Sequence, residues 1–162
     1  MTLSSNLRRL GLAGLAAALI GPPAHAGLGR GLSDAARDGK PVGGVDRLAA
    51  QAVSAAGRAT GVRTQAVETT QGVTVTEYAN PQGTVFAITW RGPFKPDLQQ
   101  LLGDYFGDYL KAAQGAVPQP NQSRVHGSDI VVRSAGRMRG FVGVAWVPSL
   151  VPAGFDPSTL QP

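Results

Sequence analysis

Between Leu98 and Leu110, seven apolar side chains (Leu98, Leu101, Leu102, Tyr105, Phe106, Tyr109 and Leu110) fall at offsets of 0, 3, 4, 7, 8, 11 and 12. A helix turns once in about 3.6 residues, so this spacing lines all of them along one side. Asp97 stands just before the run, where its carboxylate can accept the unbonded amides of a first helical turn. Asp104, Asp108 and Lys111 fall on the opposite, wet side. Burying the seven apolar side chains contributes on the order of 10–20 kcal/mol gross, at roughly 1.5–3 kcal/mol each. A helix this one-sided needs an apolar surface to lie against, so the rest of the chain must supply one.

The flanking segments read as that surface. Val62–Glu68 alternates weakly, and Thr70-Gln71-Gly72 supplies a turn. In Gly72–Ala79, Val73, Val75 and Glu77 face one way while Thr74, Thr76 and Tyr78 face the other. Asn80-Pro81-Gln82-Gly83 is a second turn, with proline presetting φ and glycine free to take positive φ. Thr84–Arg91 is expected as a strong strand presenting Phe86, Ile88 and Trp90 on one face. Beyond the helix and a Pro-rich crossover, Asp129–Ser134 and Met138–Val147 are expected as a hairpin with its turn at Ser134-Ala135-Gly136-Arg137. Val142, Val144 and Trp146 share one face of the last strand, and Phe141, Ala145 and Val147 the other. Two apolar faces imply a central strand, or one face covered by the helix and the other by the C-terminal Pro-rich segment. The expected fold is α+β: an antiparallel five-stranded sheet in the order β-β-β-α-β-β, with one long amphipathic helix packed on a face.

Composition bounds the rest. Only 15% of the 162 residues are charged, and cysteine is absent, which excludes disulfides, thiolate metal sites and a cysteine nucleophile. Arg8-Arg9, the apolar run Leu10–Ile20 and the small-x-small tripeptide Ala24-His25-Ala26 read as a Sec-type signal peptide over residues 1–26, cleaved after Ala26. Eleven apolar residues rise about 16 Å as helix, against a hydrocarbon core of about 30 Å, which disfavours a permanent anchor. Loss of Arg8 and Arg9 lowers the net charge from +5 to +3. The expected location is periplasmic or secreted, with no nucleic acid partner and no stable membrane insertion after cleavage. The ten aromatic residues all lie between Tyr78 and Phe155. Residues 27–61, rich in Gly and Ala, are therefore expected as a flexible tail, 62–155 as a single α+β domain and 156–162 as a C-terminal tail.

Several blocks resemble a known family. They are Glu77-Tyr78, Gly83-Thr84-Val85-Phe86, Trp90-Arg91-Gly92-Pro93, Pro96-Asp97-Leu98 and Leu101–Phe106, followed by Val131–Arg139, Phe141, Gly143 and Ala145-Trp146-Val147-Pro148. Together they resemble the exported bacterial family catalogued as domain of unknown function 2844, over about residues 60 to 155. Trp146 stands where that pattern expects tyrosine, and Arg137 where it expects histidine. The resemblance implies export and one folded unit. It implies no activity, substrate or cofactor.

The candidate sites are few. Arg133, Arg137 and Arg139, with Arg124 nearby, make the second half of the domain basic and suit a phosphate, carboxylate or acidic glycan; the same charges would also protect an edge hairpin from aggregation. Tyr78, Trp90, Trp146 and Tyr105 are candidates to line a groove, or simply core. Glu77 is the lone acid of the meander, a candidate acid or base, or the partner of a cross-sheet arginine. His126-Gly127-Ser128-Asp129 holds three triad residue types, but at a spacing that rarely lets Ser and Asp engage opposite ring nitrogens. Asp104 and Asp108, four apart on the helix, read as a solvated face more simply than as a cation site. No cofactor is expected. The leading functional expectation is a non-catalytic binding or accessory module of the cell envelope, whose partner is an anionic envelope component or another exported protein. The alternatives are a small envelope hydrolase using Glu77 or His126, and a structural or assembly subunit.

Overall fold

The structure is a computed structural model that describes residues 27–32, 40–41, 61–117 and 119–162. It is α+β, with one antiparallel sheet of six strands and a helical stretch of 17 residues. The strands are β2 (Arg63–Glu68), β3 (Thr74–Ala79), β4 (Val85–Gly92), β5 (Gln122–His126), β6 (Val131–Arg137) and β7 (Gly140–Trp146). A two-residue strand, β1 (Lys40–Pro41), adds to the edge, giving the order β1-β2-β3-β4-β7-β6-β5. The helical stretch comprises α1 (Leu98–Leu102), one 3-10 turn (Gly103–Tyr105) and α2 (Phe106–Gln114). The expected signal segment and most of the expected N-terminal tail (33–39 and 42–60) lie outside the described residues.

The meander and its turns follow local chemistry. Gly72 N–H bonds the Thr69 carbonyl at 3.0 Å, and Gly83 N–H bonds that of Asn80 at 2.8 Å. Asn80 Oδ1 accepts Thr84 N–H at 3.0 Å and tightens the second turn. Asp97 caps α1, its Oδ1 accepting Gln99 N–H at 2.9 Å and Gln100 N–H at 3.2 Å. The helix then breaks at Gly103, whose φ of 53° and ψ of −126° suit a residue without a side chain.

The register sorts residues into two faces. One row runs Val125, Val132, Ala145, Ile88, Glu77 and Gln65 across β5, β6, β7, β4, β3 and β2. The helix covers this face: Leu101, Leu102, Ile88, Trp90 and Val132 are buried together, with Tyr105, Phe106 and Tyr109 packed on them. The opposite face carries the row Arg124, Arg133, Val144, Thr89, Thr76 and Ala66. There the C-terminal segment lies over Tyr78, Phe86 and Trp146, inserting Phe155 and Leu160. The rings of Phe86 and Phe155 meet edge to face at 5.2 Å.

Several expectations need correction. The sheet has a sixth full strand, β5, whose sequence Gln-Ser-Arg-Val-His buries only Val125. An edge strand this polar leaves almost no alternating signal. The hairpin turn is Met138-Arg139, not Ser134–Arg137: Ser134, Ala135, Gly136 and Arg137 pair with Gly143, Val142, Phe141 and Gly140. Arg139 takes the left-handed conformation, φ 61°, that closes the turn. Phe86 does not share a face with Ile88 and Trp90, because a bulge opposite Tyr78 and Ala79 breaks the alternation of β4 and turns Phe86 to the C-terminal side. Leu110 is 46% exposed. Twelve residues at about 100° each carry it roughly 120° round from Leu98, to the margin of the apolar arc.

Both expected tails contribute to the core within the described residues. Leu28 is 1% exposed and Leu160 4%. The segment 27–32 is tied down by Leu28 N–H to Leu101 O at 3.2 Å, Gly29 N–H to Val85 O at 2.8 Å and Val85 N–H to Arg30 O at 2.8 Å. These bonds satisfy backbone groups that a loose tail would leave to water.

Candidate functional site

Three of the expected binding residues share one surface. Arg133 and Arg137, four apart on β6, project from the face opposite the helix, and both are exposed. Arg124 on β5 is the direct register partner of Arg133 and is exposed too. Arg139 follows in the turn. The guanidinium of Arg133 lies 5.0 Å from the centroid of the Trp146 ring, a cation–π contact. Asp156 is close enough to feel it: hydrogen bonds from Ser158 hold this carboxyl below its ordinary range, and Arg133 adds a smaller pull in the same direction. Across the sheet, the Arg91 guanidinium donates to the Pro162 carbonyl and helps seat the C-terminal segment.

Tyr78 and Trp90 do not join this surface. Each is buried, and they lie on opposite faces of the sheet, Tyr78 under the C-terminal segment and Trp90 under the helix. Trp90 opposes Gly143 on β7, and a Cβ at that glycine would overlap the indole. Burial raises the Tyr78 phenol above its ordinary 10.0, with the side-chain hydrogen bond to Thr89 pulling weakly the other way. Trp146 and Tyr105 likewise lie on opposite faces, so the four aromatics line no common groove.

Glu77 is 2% exposed and lines a cleft of about 190 Å³ between the β2–β3 turn and the start of α1, shared with Thr69, Gln71, Asp97 and Gln100. Asp97 spends its carboxylate on the helix cap. His126 sits exposed on β5, four strands from β3 in the sheet order, about 19 Å away at roughly 4.8 Å per strand. The sheet therefore keeps Glu77 and His126 apart. Asp108 accepts Asp129 N–H at 2.9 Å and closes the β5–β6 turn around Gly127, so it serves that loop while Asp104 faces solvent. Among the described residues no group of three or more His, Asp or Glu is placed to hold a metal ion, and no helix is long and apolar enough to cross a membrane.

Two exposed apolar residues at the turn end of the sheet carry no signal in the sequence reading. Met138, expected in a strand, stands in the turn between Arg137 and Arg139 and is 98% exposed. Phe94, 59% exposed and followed by the exposed Lys95, lies two residues past Gly92, which pairs with Phe141 at the same end of the sheet. The Arg-Met-Arg triplet is a legible signal only once the turn is placed on it.

A family model for a protein of unknown function (DUF2844) matches residues 24–160. The chain belongs to this family. The matched region takes in both Leu28 and Leu160, which are buried in the structure, so it extends past 60–155 at each end. No curated protein and no solved structure matches the chain.

Proposed function

We propose that this DUF2844 domain is an exported, non-catalytic module that binds an anionic partner at the cell envelope. The observation that carries the reading is the register pair Arg124–Arg133, continued by Arg137 and Arg139 on the same exposed surface. Like charges directly opposite on neighbouring strands destabilise a sheet by a few tenths of a kcal/mol or more. A bound phosphate, carboxylate or sulfate bridging them turns that repulsion into charge-assisted hydrogen bonding. Asp156, fully exposed, offsets only part of the charge. The export half of the reading is supported by Arg8-Arg9, the apolar run Leu10–Ile20 and Ala24-His25-Ala26.

The test is retention of the processed protein on immobilised heparin, polyphosphate and anionic vesicles at 20 and 150 mM salt. Binding that weakens with salt is expected, and Arg124→Gln with Arg137→Gln reduces it about 30-fold, at ~1 kcal/mol per lost charge. Absence of binding to every polyanion at low salt, or binding indifferent to both substitutions, overturns the binding half. Recovery of the protein from the cytoplasm with residues 1–26 attached overturns the export half.

A further inference from the structure

We infer that the anionic partner is a lipid bilayer surface, and that the domain meets it end-on, with Met138 and Phe94 entering the headgroup layer. This rests on the reading of an anionic partner and specifies it. The topology gathers the relevant groups at one end of the sheet. Gly92 pairs with Phe141, and Phe141 pairs with Gly136, so the β4 exit and the β6–β7 turn spring from three adjacent strands. At roughly 4.8 Å per strand, Gly92 and Gly136, each two residues before Phe94 and Met138, lie about 10 Å apart, and Phe94 leaves on the β3 side, between Pro93 beside Gly72 and Pro96 beside Thr69. Val117, 81% exposed, stands two residues before Gln119, which bridges to Gln122 at the start of β5 and thus at the same end.

Cations surround these apolar side chains. Lys95 follows Phe94, and Arg137 and Arg139 flank Met138. The acids at this end, among the described residues, are Glu68 at the close of β2 and Asp97, whose carboxylate is occupied by helix amides. The far end carries Asp108 and Asp129, joined around the β5–β6 turn. Arg63, which opens β2, and Arg30, bonded to Val85, stand at that same end and balance its acids, whereas cations outnumber acids around Met138, so the Met138 end is the one that faces an anionic plane.

The apolar groups separate a membrane from a soluble polyanion. A single exposed apolar residue calls for no explanation, but a methionine with 98% of its surface in water between two arginines, at the same end of the sheet as an exposed phenylalanine followed by lysine, is two such residues on one cationic end. Basic charge alone or an apolar tip alone holds a protein weakly on a bilayer, and the two together act as the double signal that peripheral binding requires. The turn arginines and Lys95 reach the headgroups first, with Arg124 and Arg133, the latter in contact with Trp146, as the exposed cations next up the sheet.

The chain lacks cysteine, so single labelling sites can be introduced cleanly. An environment-sensitive fluorophore is attached at Met138→Cys and, as the far-end control, at Ser128→Cys. Each processed protein is mixed with vesicles of phosphatidylcholine containing half phosphatidylglycerol, with pure phosphatidylcholine vesicles, and with heparin. Expected is a blue shift and gain of intensity at position 138 on the anionic vesicles only, quenched by headgroup-level nitroxide lipids, with position 128 unchanged. In the unlabelled protein, Met138→Ser lowers partition onto anionic vesicles about fivefold or more and leaves heparin retention unchanged. Arg137→Gln lowers both about fivefold. Heparin binding without vesicle binding, or vesicle binding with a silent label and an indifferent Met138→Ser, overturns the membrane inference and leaves the anionic-partner reading standing. Binding to neither overturns both.

Discussion

Replacing Leu28 by alanine tests the packing logic most sharply, because periodicity and tertiary structure rank Leu28 and Leu110 in opposite order. Periodicity assigns Leu110 to the helix's apolar stripe and leaves Leu28 in a Gly- and Ala-rich tail. In the structure Leu28 is 1% exposed among Leu101, Leu102 and Ile88, whereas Leu110 is 46% exposed. Leu→Ala in a core costs about 2–5 kcal/mol, rising with the volume of cavity left behind. The backbone around Leu28 is held by hydrogen bonds to Leu101 and Val85, so the site cannot easily collapse. We therefore expect about 3–4 kcal/mol, in the upper half of that range. For a chain of this size that corresponds to a fall in Tm of roughly 10–15 °C. Leu110→Ala should cost about 0.5–1 kcal/mol, since about half the side chain is already in water. Urea titrations followed by far-UV circular dichroism measure both, and a shift in midpoint at constant slope reports stability alone. If Leu28→Ala proves no more costly than Leu110→Ala, the segment 27–32 is not part of the core and the reasoning fails.

Two further outcomes follow from close packing and from burial of a phenol. Gly143→Ala places a methyl group against the Trp90 indole and within 2.9 Å of the Arg133 carbonyl; a loss of about 3 kcal/mol in the same titrations is expected, with altered near-UV signal from the tryptophan. Tyr78 has its folded-state pKa raised by burial, so its stabilising contribution is intact below 10.0 and is lost as pH climbs through the alkaline range toward the folded value. The stability of Tyr78→Phe should consequently fall less steeply than that of the parent above pH 10, and parallel profiles would show that another group governs the alkaline limb.

The pattern of what the sequence reveals follows the distance over which each interaction acts. The Asp97 cap, the turns at Thr69–Gly72 and Asn80–Gly83, and the alternation of β3 are contacts within a few residues, and they are legible residue by residue. The seven-residue apolar stripe is equally local and demands a covered sheet. The register pair Arg124–Arg133 is different. It exists because β5 adds to the edge of β6, and β5 itself carries a single buried side chain, Val125. The basic character of the second half is visible in composition, but its concentration on one surface, and the presence of Met138 between two of its members, depend on a turn placed by pairing with β7. Trp90 and Tyr78, which composition cannot tell from ligand-facing aromatics, are core because a glycine opposite one and the C-terminal segment over the other leave no open space.

Local propensity and side-chain periodicity were thus enough to specify an α+β chain with an amphipathic helix laid on an antiparallel sheet, since both act between neighbours along the backbone. Which segments close the two faces could be learned only from three dimensions. Leu28 and Leu160 carry no periodic signal, and their burial depends on shape matching to residues brought in from other elements, Leu101 and Ile88 around the one and Tyr78 and Phe86 around the other. The arginine surface arises in the same way, from strands that meet only after the sheet has formed.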